Sequence, residues 1–472
     1  MKKNRQLSLF VLSLVLLLGA CSVGKNYKRP DVHLPAAYRG AGTSTDTATV
    51  ADLAWKDFFS DPALQSLIDK TLAKNYDLRL AMQNIAGAQQ MLKQSRAAFA
   101  PDISMGISAA SNRPSGNSLN GISLNQFIGT THIEDFNLNA SLSWEIDIWG
   151  KLRRQKEAAK AEYIQTGEAA LAIHTQLVSG TASGYYNLLM LDAQLETAKQ
   201  NLALNDSILQ ITRLRQEVGQ ATSLAVELVE AQQQGAALLI PQLEQQIAIQ
   251  ENALQLLAGG YPDRVERSTR LQEVVIADRL AAGFPLSILS RRPDVKAREL
   301  SLKAANARVG AAQAAMYPSL VINLGAGLNS FTAGNWFSVP GALFGTFFGG
   351  LTQPLFKRRL LKTQFELAKV EREKAIIEFE RSVAVGVNEV SNALVKVEKL
   401  KTQQQVADAR VVTLRKAVSD ARLLFQTGSA DYLEVITAQG GLLQGELQAA
   451  AITCNLYIAK VDLYRALGGG WK

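Results

Sequence analysis

Very few side chains in this sequence could carry out catalysis or hold a metal ion. The 472 residues include three His and two Cys, and His33, His132 and His174 are too far apart in sequence to form a pair with metal-ligand spacing. The sequence has no Walker loop and no Ser in a Gly-x-Ser-x-Gly elbow, and Gly325-Ala326-Gly327 lacks the rest of a dinucleotide fingerprint. We therefore expect neither an enzyme nor a metal site nor a bound cofactor.

Cys21 is the residue with the clearest chemistry, because it follows a secretion signal. Residues 1–20 have a basic start and an apolar stretch, residues 7–18, which is too short to span a bilayer permanently. They end in Leu18-Gly19-Ala20-Cys21, which resembles the bacterial lipobox, where the thiol receives a diacylglycerol group. We expect a covalent lipid on Cys21, and Ser22 is typical of lipoproteins sent to the outer membrane. The alternative is an ordinary signal peptide with an incidental Cys.

The charge of the chain does not indicate nucleic-acid binding. The formal net charge of +8 includes Lys2, Lys3 and Arg5 of the signal, and without them 47 basic residues stand against 42 acidic ones. Spread over a chain of this length, the remaining excess is too weak for a phosphate-binding surface. With 47% hydrophobic residues the chain can bury a large core, so we expect several domains or one elongated architecture.

Landmarks that recur in one order indicate an internal duplication. The pairs are residues 97–103 and 314–320, Trp149 and Phe356 before basic residues, Gly219 and Gly428, and Gly259 and Gly468. We divide the chain into a signal peptide (1–20), a lipidated arm (21–61), a first repeat (62–260), a linker (261–285) and a second repeat (286–472).

Each repeat contains one very long helix. Apolar residues recur every seven positions over about seventy residues in 151–218 and in 359–427, which is typical of coiled coils and corresponds to about 100 Å of helix. Gly219 and Gly428 end these helices, so the chain must turn back sharply. The returning segments, 223–258 and 432–467, and the segments before the strands, 62–98 and 286–316, are about half as long.

Four segments alternate apolar and polar residues: about 102–112, 134–149, 318–330 and 342–356. They could form a sandwich under the helices, or transmembrane β-strands with one apolar and one polar face. Export of the chain favours the second, and so do the aromatic and basic residues at one end of the strands, which are typical of a membrane interface. These interface candidates are Trp144, Trp149, Phe356, Arg153, Arg154, Arg358 and Arg359. Cations at a helix start oppose its dipole, so we expect lipid headgroups as their partners.

Four strands cannot close a membrane barrel, so the chain must form an oligomer. A dimer would give eight strands and a trimer twelve, and the residues alone do not choose between them. The predicted fold class is mixed α and β: a long coiled-coil helical barrel with a transmembrane antiparallel β-barrel, four strands per protomer, internally duplicated.

Several short runs together resemble one known family. They are residues 23–30, 55–62, 75–79, 291–295 and 317–320. With them the mature chain resembles the TolC superfamily of outer-membrane channels, specifically its NodT-type lipoprotein branch. The resemblance implies a homotrimer with a twelve-stranded barrel and a periplasmic helical tunnel. It also implies a periplasmic adaptor and an inner-membrane resistance-type transporter as partners.

In that family, helix pairs curl inward to close the periplasmic end, and acidic rings lie just after the Gly turn of the second repeat. The resemblance places one family acid position at Glu434 and the next at Thr437, where the family usually has Asp, and with Asp431 these are the gate candidates. The gate could therefore have one acidic ring or two. The alternative is that Asp431 and Glu434 only lie on a solvated helix face. The resemblance further implies that an adaptor contacts Gly219 and Gly428, which as turn glycines also need positive φ.

The predicted function is a passive outer-membrane exit duct for small molecules. A channel for type I protein secretion and a lipid-anchored coiled-coil scaffold without a pore are the alternatives.

Overall fold

The structure, a computed structural model, describes residues 23–40, 50–276 and 283–471. The predicted signal peptide and the predicted lipidation site Cys21 lie outside these residues. The chain forms two compact units. The described parts of Met1–Pro30, Ala86–Ile164 and Glu299–Ile377 form the sheet unit, and those of Asp31–Ile85, Gln165–Arg298 and Glu378–Lys472 form the helical unit.

The secondary-structure elements repeat in the two halves of the chain. In the first half they are α1 (Trp55–Phe58), α2 (Pro62–Lys74), α3 (Tyr76–Ala97), β1 (Asp102–Asn112), α4 (Leu119–Phe127), β2 (Ile133–Ile146), α5 (Lys151–Glu217) and α6 (Ser223–Leu257). In the second half they are α7 (Ile288–Arg291), α8 (Pro293–Ala314), β3 (Ser319–Ser330), β4 (Leu343–Thr352), α9 (Leu360–Gln426) and α10 (Tyr432–Ala466). The long helices α5 and α9 both have 67 residues, and the returning helices α6 and α10 both have 35. This repetition confirms the predicted duplication.

The sheet unit contains one antiparallel sheet with strand order β1-β2-β3-β4. Its register aligns Ile103 with Leu142, Leu324 and Phe347 across the four strands. Directly opposite residues share a face, so these residues and their neighbours two positions away make one face apolar. The other face is mostly polar, with apolar exceptions such as Val321, Phe344 and Phe348, and on it the hydroxyls of Ser104 and Ser141 hydrogen-bond at 2.7 Å. The apolar face is open in the single chain, where Met105 is 76% exposed.

The second strand ends at Ile146, three residues before the predicted boundary, because the next carboxylate starts a helix. Asp147 accepts hydrogen bonds from the backbone N–H groups of Leu152 and Arg153, both at 3.0 Å. These bonds satisfy free donors in the first turn of α5 and turn the chain out of the sheet. The fourth strand ends at Thr352 rather than near residue 356, since Pro354 has no N–H to continue the ladder.

One predicted helix is broken in the structure, and one helix lies in a segment for which the sequence pattern predicts none. The segment 62–98, expected as one run, is broken at Asn75, whose side-chain oxygen caps α3 by accepting from the N–H groups of Asp77 and Leu78. The polar segment between β1 and β2 contains helix α4, which Ser118 caps through Gly121 N. Asn and Ser favour helix starts because their side chains satisfy the free backbone donors there.

The heptad positions of the long helices are largely buried. In α9 the seven-residue spacing includes Val383, Val390 and Val397 and then Val411, Val418 and Phe425, all of them buried. Gln404 breaks the row, is half-buried and donates to the hydroxyl of Thr453 at 3.3 Å. In α5 the same spacing buries Val178 and Tyr185, and Leu188 after the shift. The coiled-coil pattern thus forms the packing seam of the helical unit.

Each repeat joins the end of its returning helix to the start of a shorter helix in the same way. In the first repeat the Asn75 amide donates to the carbonyl of Leu257, the last residue of α6, at 2.9 Å. In the second, Arg292 donates to the carbonyl of Ala466, the last residue of α10, at 3.1 Å. Side chains from the start of one helix therefore satisfy free carbonyls at the end of another.

Arg292 is buried and needs compensating charge, which two carboxylates supply. It forms bonds of 3.0 and 2.7 Å with Asp294 and an ion pair of 2.6 Å with Glu389. Burial alone would raise the pKa of Asp294, but the bonds from Arg292 outweigh it and hold that pKa below its usual value.

A glycine follows each returning helix with positive φ: Gly259 at 69° and Gly468 at 92°. A Cβ on Gly259 would lie 2.4 Å from the carbonyl oxygen of Lys74. Gly219 has a similar φ of 76°, but a Cβ there would meet nothing within 4 Å. Gly259 and Gly219 therefore both need a left-handed backbone, but only Gly259 lacks room for a side chain.

We predict that Gly259→Ala destabilises the protein more than Gly219→Ala. Both substitutions cost about 1–2 kcal/mol for the left-handed backbone, and crowding adds about 1–3 kcal/mol at Gly259 alone. Thermal unfolding of the detergent-purified variants, followed by circular dichroism, measures the difference. Equal shifts in the two melting temperatures would contradict the role of the Lys74 contact.

Candidate functional site

Helices α5 and α6 form one helical hairpin, and α9 and α10 form the other. Both hairpins end in turns of the same design. Helix α5 ends at Glu217, Gly219 takes positive φ, and the N–H of Gln220 donates to the carbonyl of Arg215 at 2.7 Å. Thr222 then caps α6 through Ala225 N. This is the glycine-ended helix turn that the sequence predicts. Both Gly219 and its counterpart Gly428, with φ of 78°, are exposed at the turns.

The three gate candidates lie directly after the second turn, and each has a different environment. Asp431 is the N-cap of α10 and accepts from the N–H of Tyr432 at 2.6 Å. Glu434 is exposed in the first turn of α10. Thr437 is exposed, and its hydroxyl donates to the carbonyl of Leu433 in its own helix at 2.7 Å. Asp431 thus has a structural role, while Glu434 presents its carboxylate to solvent.

The tips of the two hairpins pack together around one apolar cluster. Its buried members are Ile208, Leu209, Val229, Phe425 and Val435. The cluster includes residues from α5, α6, α9 and α10, so the packing of one hairpin tip depends on the side chains of the other.

Arg215 adds a polar link between the hairpins that sequence reasoning missed. Its guanidinium lies over the ring of Phe425, 4.1 Å from the centroid, and donates to the carbonyls of Phe425 and Gln426. These carbonyls belong to the last turn of α9, where a cation is favourable. The signal in the sequence is a break in the duplication, because the repeat offset of the Gly turns places Leu424 at the equivalent position.

The aromatic interface candidates lie at one end of the sheet. Trp149 donates from Nε1 to the carbonyl of Pro318 at 2.7 Å, and its ring packs on that of Tyr317 with centroids 5.1 Å apart. Trp144 donates to the carbonyl of Phe99 at 2.9 Å. Phe356 is 86% exposed. The structure therefore brings these three aromatic residues to the same end of the sheet unit, two of them with their N–H groups satisfied.

Of the four basic interface candidates, Arg153, Arg358 and Arg359 are exposed and Arg154 is buried. Arg153 forms an ion pair with Asp147 at 3.2 Å and is partly exposed. Arg358 and Arg359 are exposed with φ of 45° and 65°, in the segment where the first repeat has Gly150 at 80°. Non-glycine residues rarely adopt this conformation, and residues 353–359, which precede α9, contain no Asp or Glu to match Asp147.

Arg154 does not fit the predicted contact with lipid headgroups. It is buried, and its guanidinium donates to the carbonyl of Gly24 and to Asn26 Oδ1, both at 3.0 Å. The N–H of Val23 donates to the carbonyl of Trp149 at 3.1 Å. Arg154 therefore holds the N-terminal arm against the sheet unit, and this correction follows from backbone partners about 130 positions away in the chain.

Two further contacts hold the arm on α8. Arg29 forms a two-bond ion pair with Glu299 at 2.7 and 2.8 Å, and Asn306 donates to the carbonyl of Lys25 at 3.0 Å. Gly24 passes so close to Gly310 that a Cβ on it would lie 2.7 Å from the Gly310 Cα. Small residues at both positions allow this close passage.

Within residues 23–40, 50–276 and 283–471, no group of three or more His, Cys, Asp or Glu side chains is arranged to hold a metal ion. In the same residues no helix is long and apolar enough to cross a membrane.

Comparison with known proteins identifies the family. A model of the outer membrane efflux protein family matches residues 67–260 and 285–469. The chain belongs to this family. Its membership confirms the predicted place at the outer membrane and the predicted role in efflux.

This outer membrane efflux protein is similar to three relatives over nearly its whole length. The cation efflux system protein CusC of Escherichia coli O6:H1 is 28% identical over 459 residues, 97% of each chain. A crystal structure of CusC, described in terms of transmembrane channel formation, has a TM-score of 0.83 at 25% identity and covers 95% of this chain and 100% of that one. The probable outer membrane lipoprotein SilC of Salmonella typhimurium is 27% identical over 475 residues, 99% of each chain. The antibiotic efflux pump outer membrane protein ArpC of Pseudomonas putida is 31% identical over 464 residues, 96% of this chain and 94% of ArpC.

We predict that Glu434→Ala alters single-channel conductance or cation blockade in planar bilayers. Symmetric copies of an exposed carboxylate near a channel axis would repel one another and attract cations, so removing the charge should weaken the block. Recordings of this efflux protein with and without divalent cations measure the effect.

Two further variants separate charge from shape. Glu434→Gln keeps the size of the side chain and should behave like Glu434→Ala, whereas Thr437→Asp adds a second carboxylate and should strengthen the block. Unchanged traces for Glu434→Ala would remove Glu434 from the gate.

Proposed function

We propose that this protein is the exit duct of a tripartite efflux system, a homotrimer that conducts small molecules passively across the outer membrane. The observation that carries the proposal is the sheet of four strands with one apolar face and two outer edges. In a bilayer every backbone N–H and C=O group needs a partner, so a spanning sheet must close on itself. Three copies would supply twelve strands around a polar interior, which leaves a water-filled lumen, while eight strands would leave room for little more than side chains.

The N-terminal arm supports a lipid anchor on Cys21. Val23, two residues after Cys21, is bonded to Trp149 at the aromatic end of the sheet. Aromatic residues such as Trp149 favour the headgroup region of a membrane. A lipid on Cys21 would then enter the bilayer beside the barrel wall without spanning it. The name of the relative SilC, a probable outer membrane lipoprotein, agrees with this anchor.

The hairpin tips support an adaptor as the periplasmic partner. Large apolar side chains are exposed around both turns: Leu214, Val218, Leu224, Leu423 and Leu433 are each more than half exposed. Apolar groups gathered on an exposed surface indicate a protein partner. Since the sequence has no nucleotide-binding loop, we infer that an inner-membrane transporter supplies the energy. The names of CusC and ArpC refer to different cargoes, cations and antibiotics, so we place cargo selection in that transporter.

Liposome swelling tests the duct directly. We predict that purified protein in liposomes admits small sugars and that the mature chain migrates as a trimer in mild detergent. A monomer that carries no solutes would overturn the proposal and favour a scaffold without a pore.

A variant of the tips tests the adaptor contact. We predict that Leu224→Asp keeps full liposome swelling but fails to restore drug or metal resistance to a strain that lacks this protein, because a charge replaces an apolar contact. Leu256→Asp is the matched control, since Leu256 is also exposed but lies at the other end of α6. Equal resistance of the two variants would contradict docking at the tips.

A further inference from the structure

The sheet has two outer strands, β1 and β4, and within the described residues neither has a strand on its outer side. We propose the register in which β4 of one copy pairs with β1 of the next: Thr352 lies opposite Asp102, and the remaining pairs follow in antiparallel order. The partner is a second copy of this chain. This inference rests on the trimeric duct proposed above and adds to it the residues that meet at the joint.

The first constraint is the apolar face. Directly opposite residues of an antiparallel pair point to the same side of the sheet. The odd-numbered residues of both edge strands belong to the apolar face, for example Met105 and Ile107 in β1 and Phe347 and Leu351 in β4. A continuous apolar wall therefore requires odd residues to face odd residues, and a slip by one position would turn one strand inside out.

The second constraint is the tilt of the strands. The register inside one chain leads from Asp102 to Ser143, Asn323 and Phe348. With Thr352 opposite Asp102, Phe348 lies opposite Gly106 of the next copy, so the ladder advances four residues per protomer. Four residues rise about 13 Å while four strands span about 19 Å, which gives a tilt of about 35°.

Only two registers satisfy both constraints. An advance of two residues gives a tilt of about 19°, six gives about 46° and eight gives about 54° by the same spacings. Strands in membrane barrels tilt by about 35–45°. An advance of four or six residues therefore remains.

The side chains at the joint choose the advance of four. In that register Phe348 lies opposite Gly106 and Phe344 opposite Ala110, so the two rings of β4 on this face each meet a small residue, while Phe347 meets Ile107 on the apolar face, and all ten residues of β4 are paired. An advance of six would place Gly106 opposite Gly350 and leave Leu343 beyond the end of β1. An aromatic ring across from a strand glycine covers its exposed backbone, which two facing glycines cannot do.

Disulfide cross-linking distinguishes the two registers. Ser108→Cys with Thr346→Cys places two thiols directly opposite in the proposed register, and we expect a covalent trimer on non-reducing gels. Ala110→Cys with Thr346→Cys is the matched control, because these thiols face each other only in the alternative register. In the proposed one they are diagonal, about 7–8 Å apart and beyond the reach of a disulfide. We expect at least tenfold more covalent trimer from the first pair.

The experiment uses the full chain in a Cys454→Ala background. Cys454 is buried, and burial raises the pKa of its thiol to about 12, so it contributes little reactivity even before replacement. Asp102→Cys with Thr352→Cys repeats the test at the other end of the strands. It replaces the first double variant if that protein fails to fold.

Each outcome bears on a different proposal. A cross-linked trimer from Ser108→Cys with Thr346→Cys supports the register. A trimer in detergent that cross-links only through the control pair, or through none of the pairs, overturns the register and leaves the duct intact. A wild-type chain that is monomeric in mild detergent overturns the duct itself.

Discussion

The unpaired backbone groups at the two edges of the sheet are the constraint on which the rest of the architecture depends. Water can satisfy the edges of a sheet in solution, but hydrocarbon cannot, and each unsatisfied group there costs several kcal/mol. A chain with four strands and an apolar face has no solution to this problem on its own. The sheet can therefore enter the membrane only when several copies of the chain associate. The closed sheet then turns its apolar face to lipid and its polar face to a water-filled interior.

The duplication shows that one architecture can be stabilised by different chemistry in its two halves. The joint at the end of α6 uses the neutral amide of Asn75, while the joint at the end of α10 uses the buried charge of Arg292. A neutral amide needs only hydrogen-bond partners, whereas a buried guanidinium also needs carboxylates, which Asp294 and Glu389 provide. The hairpin turns diverge similarly, because Arg215 links the two tips and its counterpart Leu424 does not.

The sequence predicts the features that arise from local periodicity. Alternation places β2, the seven-residue spacing marks the buried seam of α9, and glycines mark both hairpin turns. Features that depend on distant partners escape prediction: the bonds from Arg154 to Gly24 and from Asn75 to Leu257 join residues more than 100 positions apart. The end of β2 is intermediate, since Asp147 is visible as a possible helix cap, but the alternation continues past it. In the candidate site, the sequence predicts that Asp431, Glu434 and Thr437 follow the second turn, whereas the contacts of Arg154 with the N-terminal arm depend on residues far away in the chain.

The seat of the N-terminal arm implies an order of events as the polypeptide matures. Residues 23–29 are made about 270–280 residues before their partners Glu299 and Asn306. Contacts of such long sequence separation form late, because the intervening chain must first become compact. The arm therefore completes its contacts with the sheet unit only after α8 has been made.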